Sequence, residues 1–146
     1  MVFLAVIDTN VIVSALLKKH LNNELNEKTN PALILDYISQ DIIIPFINSH
    51  IFIEYVYVLN REELNIDKKY IFEVIDLFLE KSRFIKNMEN NIQLTDKSDV
   101  KFYAVTLSAR KNDDAYLVTG NKRHFPVEPF VVSPREMVEI IESQSK

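Results

Sequence analysis

The sequence predicts an α/β fold in which a largely parallel sheet is covered by helices on both faces. Two observations predict this class: short apolar runs typical of buried strands alternate with segments of helical periodicity, and polar or proline-containing turns separate them. The chain has 146 residues and a hydrophobic content of 47%, which suits one globular domain with a sizeable core. We therefore expect a single domain over residues 1–146.

The first half of the chain contains two predicted strands and three predicted helices. VFLAVI, Val2 to Ile7, predicts a buried strand, and NVIVSALLKK predicts the helix after it, despite its β-branched residues. The polar stretch from His20 to Asn30 then indicates a mobile loop. Asn30 suits an N-cap and Pro31 a first helical position before ALILDYISQ. DIIIPFIN predicts the second strand, and Ser49 suits the cap of a helix through HIFIEYVYVLNR.

The second half continues the alternation. Asp67 suits the cap of a helix with a buried apolar stripe, which is predicted to comprise Ile71, Val74, Ile75, Phe78 and Leu79. RFIK predicts a short strand, and AYLVT and PFVV predict two more. SPRE, Ser133 to Glu136, combines a cap, a proline and a capping-box glutamate before a last helix.

Composition excludes several functional classes. The absence of cysteine excludes disulfides, thiolate ligands and a cysteine nucleophile, so any metal must be held by oxygen or imidazole. The net charge of -4 argues against broad binding of a phosphate backbone, so contact with nucleic acid should be local or metal-assisted. No apolar run approaches the roughly 18 residues of a membrane span, and the N-terminus lacks signal-peptide features. We expect a cytoplasmic protein without a membrane partner.

Oxygen-bearing side chains from four segments are predicted at one edge of the sheet. Asp8 ends the first strand, Glu54 lies early in the helix after DIIIPFIN, and Asp96 and Asp99 flank the start of the helix near KSDVKFYAV. TGN, Thr119 to Asn121, follows AYLVT and contains the one glycine of the chain, which indicates a positive φ or a close approach of the backbone to a bound group. In parallel sheets, ligands bind beyond the carboxyl ends of the strands. Clustered carboxylates there predict a site for Mg²⁺ or Mn²⁺.

Each residue also has a simpler interpretation. An aspartate after a strand is often a cap or a turn residue, and Glu54 on an exposed helix face would be a solvated charge. Asp96 is better explained as a helix cap. His50 and His124 are single histidines without a partner spacing, which is weak support for a metal site. Similarly, we interpret Lys122 and Arg123 as surface charges, and Asp113 and Asp114 as a solvated helix exit.

The order of four segments identifies a family resemblance. VIDTNVIVSALL, SHIFIEYVYVL, DKSDVKFYAVTLSA and AYLVTGNKRHFP resemble the PIN-domain family, especially the VapC-like ribonuclease toxins of toxin–antitoxin pairs. The resemblance runs from Val6 to about Pro134. It implies a three-layer α/β/α sandwich around a mainly parallel sheet, of Rossmann-like topology, and Mg²⁺- or Mn²⁺-dependent cleavage of RNA. It also implies a cognate antitoxin and a possible homodimer as partners.

The resemblance assigns roles by position. Asp8, Glu54 and Asp99 match the three principal acidic residues of the family, and Asn10 and Thr119 match polar residues that support them. We expect Asp8 and Asp99 to be metal ligands, and Glu54 to be a further ligand or the base that orients water.

Two positions depart from the family pattern. Asn121 stands where many members have a fourth acid, and it would be a neutral ligand or a water-positioning group. Lys97 replaces a proline that relatives often have, and it is expected to place a cation beside the site.

Two alternative functions remain open on the sequence. A haloacid-dehalogenase-like phosphatase would use Asp8 as its nucleophile, but it would need a second aspartate where the chain has Asn10. A PIN-like domain that has lost turnover would bind RNA or a protein partner, and Asn121 is compatible with that interpretation.

Overall fold

The sheet in the computed structural model of the protein is parallel throughout. The structure describes residues 1–21, 28–86, 92–94 and 96–144. Within these residues, five strands pair in the order β3-β2-β1-β4-β5, and all four pairings are parallel. The strands are β1 (Phe3–Ile7), β2 (Ile43–Ile47), β3 (Arg83–Phe84), β4 (Tyr116–Val118) and β5 (Val131–Val132). Each lies within a run that the sequence predicts as a strand.

Six helices of the described residues flank this sheet and complete the predicted α/β/α sandwich. They are α1 (Thr9–Leu21), α2 (Asn30–Ser39), α3 (Ser49–Leu59), α4 (Lys68–Lys81), α5 (Lys97–Arg110) and α6 (Pro134–Gln144). Short 3-10 turns cover Glu62–Leu64 and Lys122–His124. In the part of the chain that the structure describes, every helix falls short of the length and apolarity that a bilayer crossing requires.

The predicted bounds of a loop from His20 to Asn30 are wrong at both ends, because α1 includes the residues up to Leu21 and α2 includes Asn30. Most of that stretch, residues 22–27, lies outside the described residues.

The core forms where the central strand is covered on both sides. Ala5, Val6 and Ile7 of β1 are fully buried, which explains why this strand is a continuous apolar run instead of an alternating one. The rings of Tyr55 from α3 and Phe78 from α4 pack edge to face, with their centroids 5.0 Å apart. The helices α3 and α4 are thereby joined to the same core as β1.

One predicted member of the α4 stripe is wrong. Ile71, Val74 and Phe78 are buried and Ile75 is half-buried, but Leu79 is 58% exposed. Each helical residue turns the side chain by about 100°, so Leu79 points well away from Phe78 at the centre of the stripe.

Two predicted caps are displaced by one residue. Thr29 caps α2 in place of Asn30, and Asn48 caps α3 in place of Ser49. In both cases the preceding residue has an extended backbone and a side-chain oxygen that reaches the helix N–H groups, whereas the predicted residue is already helical. The caps at Asp67 and Ser133 are confirmed, the latter as a reciprocal capping box with Glu136 at 3.1 and 2.8 Å.

The cap at Asn48 gives a stability prediction. Asn48 is buried, and its Oδ1 accepts a hydrogen bond from the N–H of Ile51 at 2.8 Å. Asn48→Ala should lower the free energy of unfolding by about 1–2 kcal/mol, because a buried donor loses its acceptor. The control Asp67→Ala removes an exposed cap, where water replaces the acceptor, and should cost less. Urea unfolding measures both, and equal losses would contradict the dependence on burial.

Candidate active site

Asp8 lies where the strand order of the sheet reverses, between β1 and β4. It is 5% exposed, and its Oδ2 accepts hydrogen bonds from Thr119 Oγ1 at 2.8 Å and Asn10 Nδ2 at 3.2 Å. Its N–H donates to the carbonyl of Val118 at 2.9 Å, which extends the β1–β4 pairing to the carboxylate itself. Asp8 therefore occupies the position at which open parallel sheets form their ligand crevice.

Two further hydrogen bonds order the turn after β4, and one of them joins it to the residues after β1. The N–H of Gly120 donates to Asn10 Oδ1 at 2.9 Å, and the N–H of Asn121 donates to Thr119 Oγ1 at 3.0 Å. A Cβ at residue 120 would lie 3.2 Å from Asn10 Oδ1, and the φ of Gly120 is not positive. The predicted positive φ is therefore wrong, and the backbone of Gly120 lies close to the side chain of Asn10. Asn10 and Thr119 thus hold Asp8 in one orientation, as supporting residues would.

Glu54 lies at the same edge and is engaged on both carboxylate oxygens. Lys101 Nζ is 2.6 Å from Oε1, and Thr9 Oγ1 donates a hydrogen bond to Oε2. Lys101 also donates to the carbonyl of Ser98 at 2.7 Å. Glu54 and Lys101 are each about 20% exposed, so Glu54 is not a freely solvated charge.

Lys101 is the cation that the structure places beside the acidic residues. The sequence indicated Lys97 for this place, but that side chain is exposed at the first residue of α5. Lys101 lies one helical turn after Lys97, and its ion pair with Glu54 of α3 places it beside the acidic residues. No local pattern could have predicted a contact between residues so far apart in the chain.

Asp99 lies in the first turn of α5 and is 9% exposed. Its Oδ2 is buried and accepts no hydrogen bond from the described residues, although His124 Nδ1 lies 3.5 Å away. His124 is a single histidine in the sequence and gives weak support for a metal site, but the turn after β4 brings it to Asp99. By contrast Asp96 caps α5 by accepting from the N–H of Ser98 at 2.9 Å, as its simpler interpretation predicts.

The electrostatics of the site penalise ionised carboxylates. Burial raises the pKa of Asp8 to about 6, with the hydrogen bond from Thr119 opposing this and the charges of Asp99 and Glu54 adding to it. Burial also raises the pKa of Asp99, and the charge of Asp96 adds to the increase. The carboxylates therefore act on one another, and a bound cation would stabilise their ionised forms.

Asp8 and Asp99 fit a divalent cation better than the complete predicted set does. Both are buried, both have a raised pKa, and Asp99 has an oxygen without a hydrogen-bond donor, which is a suitable ligand for a hard cation. Nevertheless, among the described residues no group of three or more histidine, aspartate or glutamate side chains is arranged to hold a metal ion. Glu54 differs from Asp8 and Asp99 in that its carboxylate is bound to Lys101 and Thr9.

Tyr55 is a further residue that sequence reasoning missed. Its ring is fully buried, and its hydroxyl donates to the carbonyl of Ile7, directly before Asp8. Burial raises its pKa well above the ordinary value, so it remains a neutral donor. In the sequence Tyr55 is only one of several apolar neighbours of Glu54.

The remaining candidates lie outside this cluster or on its border. His50, Asp113, Asp114 and Arg123 are exposed, as their simpler interpretations predict. Lys122 forms an exposed ion pair with Glu136 at 2.8 Å.

The raised pKa of Asp8 gives a pH prediction for the metal-free protein. Because the folded pKa of about 6 exceeds the ordinary value of 3.8, protonation of Asp8 favours folding below pH 4, and this contribution is lost as the pH rises through 6. The variant Asp8→Asn has no titrating group at this position and lacks this pH-dependent contribution to stability. Between pH 4 and 7 the stability of wild type should therefore fall relative to the variant, by at most about 3 kcal/mol. Urea unfolding in chelator across this range measures the difference, and parallel pH curves would contradict the assignment.

Comparison with known proteins identifies the fold family. The family profile described as PIN domain matches residues 4–123, which is well over half of the chain. No curated protein and no solved structure matches the chain. PIN domains are generally nucleases that act on RNA and typically use divalent metals. On this match, and with its five-stranded parallel sheet, the chain belongs to the PIN-domain family.

Proposed function

We propose that this protein is a divalent-metal-dependent endoribonuclease that hydrolyses RNA phosphodiester bonds. The observation that carries the proposal is the burial of two interacting carboxyl groups, Asp8 and Asp99, of which Asp99 Oδ2 has no hydrogen-bond donor among the described residues. Burial raises both pKa values, and the charge of Asp99 adds to the increase at Asp8, so a cation bound at the ligand crevice of this fold would stabilise the ionised forms.

In this proposal Asp8 and Asp99 hold Mg²⁺ or Mn²⁺. When bound, the ion supplies positive charge against the charge that develops on the phosphate and promotes attack by water. Thr119 and Asn10 keep Asp8 oriented through their hydrogen bonds to Oδ2. Glu54 orients the attacking water or serves as a further ligand once it is released from Lys101, and Asn121 provides a neutral polar group.

The local charge of the site explains how an acidic protein would accept RNA. The chain carries a net charge of -4, so its surface as a whole does not attract a polyanion. A bound divalent ion would reverse the sign at the carboxylates, and Lys101 and His124 already lie beside them. RNA would therefore be attracted to this edge of the sheet and not to the protein in general.

We further propose that the ribonuclease is the toxin of a toxin–antitoxin pair, with a cognate antitoxin as its partner and possibly a homodimeric assembly. This narrower assignment rests on the resemblance of its four segments to the VapC-like branch.

A catalytically weak RNA- or protein-binding module is the second candidate. The observations that favour it are the ion pair between Glu54 and Lys101 and the neutral Asn121 in place of a fourth acid. Both would reduce the attraction of the site for a metal ion. Cleavage assays on the metal-loaded protein decide between the two candidates.

Removal of single carboxylates tests the enzyme. Asp8→Asn, Glu54→Gln and Asp99→Asn should each lower RNA cleavage in Mg²⁺ by at least about 100-fold, because each removes a charged group from the reaction centre. Melting temperatures of Asp8→Asn and Asp99→Asn in chelator should stay equal to wild type or rise, since repulsion is relieved, whereas Glu54→Gln also loses the ion pair with Lys101 and should not rise. The matched control Asp114→Asn, at an exposed aspartate, should retain full activity. Cleavage by wild type that continues in excess chelator would contradict metal dependence.

Lys101 should weaken the binding of metal. Lys101→Gln removes the cation that pairs with Glu54, so we expect a several-fold lower half-saturating Mn²⁺ concentration in a melting-temperature titration. Lys97→Gln removes the same charge from an exposed position and serves as the control. Coincident titrations of the two variants would show that Lys101 does not compete with metal.

A further inference from the structure

Two consecutive residues of α3 are hydrogen-bonded to the two residues that flank Asp8. On one side of Asp8, the carbonyl of Ile7 accepts from the hydroxyl of Tyr55. On the other side, Thr9 Oγ1 donates to Glu54 Oε2. We call these two hydrogen bonds the α3 pair. They connect α3 to the end of β1 directly beside one carboxyl group of the candidate site.

The β1 side of the α3 pair is held independently of α3. The strand β1 pairs with β2 on one side and with β4 on the other. The N–H of Asp8 donates to the carbonyl of Val118, and its carboxylate accepts from Thr119 and Asn10. Asp8 would therefore keep its position if the α3 pair were lost, and α3 is the element that would shift.

The packing of α3 leaves its rotation to be set by directional contacts. The face of α3 that covers the core is formed by Ile51, Tyr55 and Leu59, all of which are buried. Apolar contacts are non-directional, so they hold a helix against a sheet but tolerate a small rotation. A hydrogen bond requires both a distance and an angle. The bond from Tyr55 therefore limits the rotation of α3 and the direction in which the adjacent Glu54 points.

The hydroxyl of Tyr55 is suited to this role because it stays protonated and oriented. Burial raises the pKa of Tyr55 well above its ordinary value, and the charges of Asp8 and Glu54 add to the increase. The ring packs edge to face against Phe78, with the centroids 5.0 Å apart, which restricts its orientation. Tyr55 is thus a neutral donor that is aimed at one carbonyl.

The bond from Thr9 leaves one oxygen of Glu54 available. Thr9 donates to Oε2, whereas Lys101 Nζ lies 2.6 Å from Oε1. A metal ion can therefore replace Lys101 at Oε1 while Thr9 continues to hold Oε2. Thr9 is 5% exposed, so water has little access to compete for its hydroxyl.

We propose that Tyr55 and Thr9 are positioning residues that fix Glu54 relative to Asp8, so that Glu54 faces a cation bound there. Neither residue contacts the cation or the RNA, and both act through Glu54. This inference rests on the proposed ribonuclease function, and it adds two hydroxyl groups on which the geometry of the site depends.

Removal of single hydroxyls tests this role. Tyr55→Phe keeps the buried ring and Thr9→Val keeps the branched shape, so each variant removes one bond of the α3 pair. In Mg²⁺ each should lower kcat for RNA cleavage about 10-fold, while KM stays within about twofold. The matched control Thr106→Val removes a buried hydroxyl that donates to a carbonyl within α5 at 2.7 Å. The control should leave kcat within about twofold.

Metal binding provides a readout that does not depend on cleavage. Tyr55→Phe and Thr9→Val should raise the half-saturating Mn²⁺ concentration in a melting-temperature titration at least about 3-fold, because Glu54 no longer faces the ion. All three variants should melt at a lower temperature than wild type without metal, since each loses a buried hydrogen bond. Thr106→Val should nevertheless keep the half-saturating concentration within about twofold of wild type. The titration therefore separates positioning from a general loss of stability.

A double-mutant cycle tests whether the effect passes through Glu54. In a Glu54→Gln background, Tyr55→Phe should lower kcat by less than about a further twofold, because the group that it positions has already lost its charge. A further 10-fold loss in that background would show that Tyr55 acts on the fold in general, and it would overturn the proposal.

The positioning role and the ribonuclease function can fail separately. If wild type cleaves RNA but folded Tyr55→Phe and Thr9→Val match Thr106→Val in kcat and in the Mn²⁺ titration, the positioning role is overturned and the ribonuclease function stands. If wild type binds Mn²⁺ but cleaves no RNA, the ribonuclease function is overturned, and the titrations alone decide the positioning role. Wild type that neither binds Mn²⁺ nor cleaves RNA overturns both. Should Tyr55→Phe not fold, the same comparisons with Thr9→Val decide whether the α3 pair positions Glu54.

Discussion

The structure depends on the burial of one carboxyl group, that of Asp8, at the junction of β1 and β4. Its N–H continues the pairing of the sheet, and its side chain accepts from Thr119 and Asn10. Ala5, Val6 and Ile7 of the strand before it are fully buried, and the hydroxyl of Tyr55 donates a hydrogen bond to the carbonyl of Ile7. The carboxyl is therefore held by the most rigid part of the fold, although burial makes its ionised form costly.

The other carboxylates at this edge differ in how their charge is compensated. Asp99 adds a second carboxylate with an oxygen that accepts no hydrogen bond among the described residues, whereas Glu54 is compensated by Lys101. The site thus contains one pair of acids suited to a cation and one acid that already has a cation. This division distinguishes the site from a cluster of equivalent carboxylates, because one of the three acids is already paired with Lys101.

A groove between α1 and α3 extends from the carboxylates of the site. Its aliphatic walls on α1 and α3 begin at the acidic residues, and Arg61 follows the last turn of α3. Because both helices start at the carboxyl edge of the sheet, the connection between the carboxylates and the groove is a consequence of the α/β topology.

Local patterns in the sequence determined the strands, most of the helices and the edge at which Asp8, Glu54 and Asp99 meet. Apolar runs and capping residues act over a few positions, so they are readable without neighbours, although Thr29 and Asn48 show that caps can shift by one residue. Tertiary structure alone decided which charge lies beside Glu54, that His124 reaches Asp99, and why Gly120 has no side chain. Each of these depends on how separate elements pack, and the free energy of such contacts is set by burial and distance across the fold, which neither periodicity nor spacing along the chain records.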